Sequence, residues 1–235
     1  VSESVPVLFK DSQLLAIDKP AGLLVHPSRE APDRRTCLRL AREAAGQHVF
    51  PIHRLDRGTS GVLLFALTRE AASRLSASFR EKTVEKRYLA VVRGWTPEAA
   101  LIEKPLRATP EKDYAAACSE YRRLAVAEVP RPVGRYATAR YSLLEVRTRS
   151  GRLHQIRKHL VHVSHPIIGD TIYGDGRHNR FMREHLELRR LLLACVEVRF
   201  PHPESGASTV VRAPLAPELT AAFERLGWTD AALGR

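Results

Sequence analysis

Cysteine, lysine and long apolar runs are all scarce in this chain of 235 residues. The three cysteines, Cys37, Cys118 and Cys195, are widely spaced and form no paired motif. That excludes a disulfide framework and suits a reducing compartment, so a cytoplasmic location is expected. No apolar run approaches the roughly 18 residues of a membrane span. The opening residues Val1-Ser2-Glu3-Ser4-Val5-Pro6 lack the basic-then-apolar pattern of a secretory leader, so no membrane partner is expected. Low-complexity tracts and internal repeats are also missing, which argues against solenoids and arrays. Lysine is outnumbered by arginine, 7 to 31.

What is present is positive charge. With 38 basic and 26 acidic residues the formal charge is +12, and a surplus of that size implies an anionic partner. The planar guanidinium fork pairs with phosphate in two-toothed fashion and stacks on bases, so the arginine bias suits RNA; a GC-rich coding sequence gives the same preference. The net basicity is harder to set aside, because a neutral small-molecule substrate would not require it. The length allows one large domain or two small ones, with ample chain for a core.

Short apolar runs at Val7–Asp11 and Leu14–Asp18, separated by a polar turn, predict a hairpin. A helix is expected from Thr36 to Gly46, a buried strand over Val62–Leu67, and a helix capped by Thr68 that reaches about Lys82 with Ala72, Leu75 and Phe79 on its apolar face. Glu85–Gly94 reads as a strand. From Thr96 to Arg140 the pattern is broken by Pro97, Pro105, Pro110, Pro130 and Pro132; a strand at Tyr121–Val126 and a loop at Gly134–Tyr136 are all that emerge. Arg140–Thr148 alternates and predicts a strand with one buried face. Leu153, Ile156, Leu160 and Val163 share one face of an expected helix, with Arg157 at the stripe's edge, where a cation either snorkels to water or meets a carboxylate. Asp170–Arg180 reads as a polar loop. Leu191–Phe200 and Thr209–Ala213 read as a hairpin about a turn at 201–206, and a helix from Pro217 to about Leu226 follows. Strands in runs with scattered helices indicate an α+β fold.

One stretch organises the chemistry: Pro51-Ile52-His53-Arg54-Leu55-Asp56-Arg57-Gly58-Thr59-Ser60-Gly61. Asp56 lies between two arginines in a glycine-punctuated turn just before a buried strand. Flanking positive charge favours the ionised acid, which can then be a nucleophile, a base or an ion-pair partner. By residue type and spacing alone, a turn with a structural Asp–Arg pair is the first reading, ahead of a presented catalytic acid. Likewise Tyr88, alone in a strand, reads first as a packed residue with a satisfied hydroxyl. His154, His159, His162 and His165 are numerous, but neither a Cys pair nor a His-Glu-x-x-His helix accompanies them, so no metal is expected.

The stretch His53–Gly61 resembles the signature of the RluA family of pseudouridine synthases. The similarity continues through Ala16–His26, Glu85-Lys86-Arg87-Tyr88, Gly151–Arg157 and His165–Asp170, all in the family's order. The resemblance implies a single catalytic domain over residues 1–235 with the pseudouridine synthase fold, a long bent, mostly antiparallel sheet with a cleft across its middle. No RNA-binding module of the ribosomal S4 type is expected before it.

It further implies Asp56 as the catalytic aspartate, Tyr88 as the tyrosine against the target base, and Arg157 as the ion-pair partner of Asp56. Arg152 stands second for that last role. Arg54 inherits the part of filling the space left by a flipped nucleotide, and His53, Arg57, Thr59, Arg152 and His154 are assigned with it to substrate binding. The implied reaction isomerises uridine to pseudouridine in RNA, needing no cofactor because substrate and product are isomers. Addition to C6, attack on C1′ and removal of the 2′ proton all call on the same carboxylate. Within the family the pattern is closest to members that modify uridine 65 of tRNA, with a ribosomal RNA uridine or RNA binding without turnover as alternatives, and a monomer is expected. Gly58 and Tyr173 depart from that subgroup, which has Pro and His there; both are expected in RNA-facing loops away from the chemistry.

Overall fold

The computed structural model describes residues 4–27, 35–107, 109, 111–148 and 150–228. Pro110, one of the expected chain breaks, lies outside them. In chain order the elements are β1 (Val7–Lys10), β2 (Leu14–Lys19), α1 (Cys37–Ala45), β3 (Phe50–Pro51), β4 (Ser60–Ala66), α2 (Arg69–Arg80) and β5 (Glu85–Arg93). They continue with β6 (Ala99–Glu103), β7 (Cys118–Val129), β8 (Ala139–Thr148), α3 (Gln155–His162), α4 (Gly176–His185), β9 (Leu193–Pro201), β10 (Ser208–Arg212) and α5 (Pro217–Arg225). The chain forms two compact units, Val1–Lys86 with Cys195–Pro214, and Arg87–Ala194 with Leu215–Arg235.

In the first unit β1 pairs with β2, β2 with β4, β3 with β4 and β10 with β9, all antiparallel. Every residue of β4 is buried, as its unbroken Val-Leu-Leu-Phe run requires. Helix α1 starts where Thr36 Oγ accepts the Arg39 amide and stops at Gly46 in the left-handed conformation, and Thr68 caps α2 in the same way through Ala71. These caps satisfy amide groups that the first helical turn leaves open.

The second unit is the antiparallel series β5–β8–β7–β6. Strand β8 departs from its expected single buried face: Tyr141 through Val146 are all buried. Tyr141 meets α4 through His178, while Ser119, level with Thr148 on the opposite face, meets α3 through His159. Helices therefore cover both surfaces. Strand β6 went unread because prolines surround it. The expected loop Asp170–Arg180 instead contains the start of α4, which Asp175 caps by accepting the Arg177 and His178 amides, with Phe181 and Met182 buried. Glycine at the first helical position and seven polar residues in the helix masked that amphipathic face. Helix α3 begins two residues past Leu153, and its buried face carries Gln155, Arg157 and His159 beside Ile156 and Leu160.

Close approach of two strands fixes one glycine. Gly61 has φ +107°, and a Cβ there would stand 2.0 Å from the Cys195 carbonyl oxygen. Gly61→Ala should therefore destabilise the protein by about 3 kcal/mol through strain and displaced backbone. Urea denaturation checks this, and a loss well under 1 kcal/mol would contradict the tight approach.

Candidate active site

The signature segment leaves β3 and enters β4, and in the first unit it is tied down on both sides of Asp56. The Leu64 amide donates to His53 Nε2 at 3.1 Å. Accepting that bond requires the neutral ring, with its proton on Nδ1. Burial, then the charge of Lys86, pushes the His53 pKa down to about 3. The ring stacks on Phe79 at 5.4 Å, and the Lys86 ammonium, itself lowered in pKa by burial, lies 5.7 Å from the centre of the same phenyl ring.

Leu55 is buried, Asp56 is half-buried, and the Thr59 amide donates to the Asp56 carbonyl at 3.1 Å, closing the turn. Arg57 grips the neighbouring turn: its Nε donates to the Gly22 carbonyl at 2.9 Å, and its own carbonyl accepts from the Gly22 amide at 2.7 Å. Beneath them Lys19, wholly buried, donates through Nζ to the carbonyls of Pro20, Arg57 and Thr59 at 3.0, 3.1 and 2.7 Å. Arg54 stays exposed, and its charge adds to burial in lowering the pKa of His26.

In the second unit Tyr88 sits on β5 opposite Val146 and is buried. Arg157, on α3, is also buried and forms a two-toothed ion pair with Asp170: Nε to Oδ2 at 2.7 Å and Nη2 to Oδ1 at 2.9 Å. Burial alone would raise the Asp170 pKa, but Arg157 and the amides of Tyr173 and Ile172 outweigh it and hold the carboxyl below its ordinary value. The Arg157 guanidinium also lies 5.1 Å from the centre of the Tyr173 ring, whose hydroxyl is 3.0 Å from His154 Nδ1. His154 takes the left-handed conformation at φ 54° to enter α3. Arg152 is exposed and donates from Nε to the Ala116 carbonyl at 3.2 Å.

A presented aspartate on a braced turn and a buried arginine held by a second aspartate are the features to compare with known proteins. The sequence profile of the RNA pseudouridylate synthase family matches residues 13–162. The chain belongs to that family. It is 42% identical over 97% of its length to the tRNA pseudouridine synthase C of Vibrio cholerae, covering 98% of that protein. It is also 42% identical to the enzyme of the same name from Haemophilus influenzae, over 95% of this chain and 98% of the relative. Among solved structures, human RNA pseudouridylate synthase domain containing 1 superposes with TM-score 0.73 at 23% identity, over 92% of this chain and 86% of that one. Domain containing 4 gives TM-score 0.73 at 22% identity, over 94% and 93%. The pseudouridine synthase fold and the isomerase activity on RNA uridine follow from this membership.

Two residues of this pseudouridine synthase gain roles that the sequence reading did not give them. Asp170 closes the quoted His165–Asp170 motif, and that position was the available signal for an acid able to meet Arg157. Tyr173 corrects an expectation. It does not stand apart from the candidate site, because it contacts both Arg157 and His154. The side chain of His159 is likewise occupied, between Ser119 Oγ and the Lys104 carbonyl at 2.9 and 3.0 Å.

Asp170→Asn should cost about 3 kcal/mol at neutral pH by removing the carboxylate that meets a buried guanidinium with two hydrogen bonds. Because the folded pKa of Asp170 is lowered, its contribution is complete above the unfolded value near 3.8 and is lost as pH falls through the folded value. Urea titrations of both proteins from pH 7 downward should therefore converge in strong acid; a constant gap would contradict a lowered pKa. For His53, nitrogen-15 NMR should show a neutral ring protonated on Nδ1 at pH 5, where an ordinary histidine is charged, and an imidazolium signal there would contradict the bond from Leu64.

Proposed function

We propose that this pseudouridine synthase acts on tRNA, at uridine 65, as a cytoplasmic monomer whose two units serve as one catalytic domain. What carries the substrate assignment is the near-full-length similarity to enzymes named for tRNA. The stretches Gly46–Phe50, Val92–Trp95, Gly134–Tyr136 and Gly227-Trp228, which resemble the subgroup that modifies uridine 65, favour the position. The basic surface supports an RNA of either kind.

A uridine stacked in a helix hides its glycosidic bond and C5, so the nucleotide must flip out at a cost of a few kcal/mol, offset by stacking and phosphate contacts. Arg54, exposed on the signature turn, fills the vacated space. The Asp56 carboxylate promotes cleavage of the N1–C1′ bond; uracil then turns in place, C5 bonds to C1′, and the C5 proton leaves. Tyr88 and Arg157 keep the roles that the resemblance implies. His53, Arg57 and Thr59 act chiefly by holding the turn still, since their ring, guanidinium and amide are already engaged with Leu64, Gly22 and the Asp56 carbonyl. A turn so braced presents its carboxylate without reorganisation at the moment of reaction. Arg152 and His154 are assigned to the RNA.

Tritium release from C5-labelled uridine in tRNA transcripts tests the proposal. Wild type should release the label, replacing the base at position 65 should abolish release, and Asp56→Asn should slow it by at least about 1000-fold. Release that survives the position-65 change would discard the site. Release from ribosomal RNA alone would replace the substrate, and Asp56→Asn at the wild-type rate would remove that aspartate from the chemistry.

A further inference from the structure

A cleft of about 1060 Å³ in the second unit is left unused by this mechanism. Its walls come from the end of β5, the turn Val133–Tyr136, the start of β8 and the N-terminal end of α4. None of the candidate site residues lines it. Four arginines do, Arg93, Arg135, Arg140 and Arg177, against a single carboxylate, Asp175.

Those arginines fall into two pairs. Arg93 is fastened to Asp175 at 2.5 Å and to the Ser164 carbonyl at 3.1 Å, and Arg140 donates to Glu128 at 3.1 Å. They build the frame. Arg135 and Arg177 are exposed and, among the described residues, have no carboxylate partner. Arg177 lies along the turn, its Nη1 3.0 Å from where a Cβ on Gly134 would stand, and Gly134 has φ +64°. Two guanidinium groups without a carboxylate partner therefore line the same cleft.

Aromatic faces complete the cleft. Trp95 is 44% exposed and Tyr136 59%. Arg140 stacks 4.2 Å from the centre of the Trp95 ring system, and Arg135 lies 5.1 Å from that of Tyr136. Arg135 also donates to the Tyr136 hydroxyl at 2.9 Å, and exposed rings beside guanidinium groups without a carboxylate partner are what successive bases and phosphates of an unpaired strand require. An acidic peptide would satisfy the charges and leave the rings without a flat partner. Ser164, His165, Asp175, Arg177 and His178 lie beyond residue 162, where the family profile ends. The cleft thus rests partly on residues outside the matched span.

We propose that this cleft is a second RNA-docking site, holding an unpaired nucleotide and its flanking phosphates from a part of the substrate other than the target uridine. Arg135 and Arg177 grip the phosphates, and Trp95 and Tyr136 stack on the base. The inference rests on the reading that the substrate is a folded RNA, and it makes the cleft a determinant of which RNA is chosen.

The test compares Arg135→Ala/Arg177→Ala with wild type, using tRNA transcript if the wild type modifies it and the ribosomal RNA if it modifies that instead. Failure of the tRNA reading is thereby seen in the wild type, and failure of the cleft only in the variant. The double variant should bind its RNA about tenfold or more weakly, with the slope of log affinity against log salt reduced by about 1.4 to 1.8. Its single-turnover rate at saturating RNA should stay within about twofold of wild type. Arg135→Lys/Arg177→Lys should restore most of the salt slope, and Tyr136→Leu should weaken binding about tenfold with the slope unchanged. Unchanged affinity and slope in the double alanine variant would overturn the proposal. So would a lowered single-turnover rate with unchanged affinity, or wild-type binding by Tyr136→Leu.

Discussion

A buried ammonium held by carbonyl oxygens is the constraint on which the signature turn depends. Lys19 is wholly enclosed, and its Nζ reaches the carbonyls of Pro20, Arg57 and Thr59. Taking such a charge out of water costs several kcal/mol, so it is tolerated only where polar groups converge on it. The convergence joins the end of β2 to the residues that follow Asp56. Arg57 adds a return link to Gly22, and His53 supplies the matching anchor before Asp56. The acid stands on a short, doubly fastened stretch between a buried leucine and a fully buried strand.

In the second unit the corresponding constraint is the pair of Arg157 and Asp170. A buried guanidinium keeps one orientation only if its donors are satisfied. Asp170 accepts from two of them and is itself held by the amides of Ile172 and Tyr173. Tyr173 then covers Arg157 with its ring and meets His154 with its hydroxyl. Tyr173 thus joins two candidate site residues through ring and hydroxyl. The exposed arginines Arg135 and Arg177 show the opposite arrangement: charge that no carboxylate among the described residues compensates, available to an anion.

Much of this was legible in the sequence because the responsible signals are local. Thr36 and Thr68 cap their helices, Gly46 ends one, and the run Val62–Ala66 is a buried strand, each decided by residues within a few positions. The signature around Asp56 and the later motifs carried the family and with it the reaction. Where local signals conflicted, the reading failed: glycine and charged residues hid α4 although Asp175 stood ready as its cap, prolines hid β6, and the alternation in β8 suggested one covered face where helices cover both.

The sequence by itself determined the fold class, most of the elements and the reaction, since these rest on short motifs and periodicity. Only the tertiary structure decided that Asp170, thirteen residues from Arg157, forms an ion pair with it, that Tyr173 bridges Arg157 and His154, and that residues 93, 135, 140 and 177 line one basic cleft. Helix and strand propensity acts between neighbours along the chain. An ion pair or a stacking platform exists only when distant positions are brought within a few ångströms by packing, which no local pattern records.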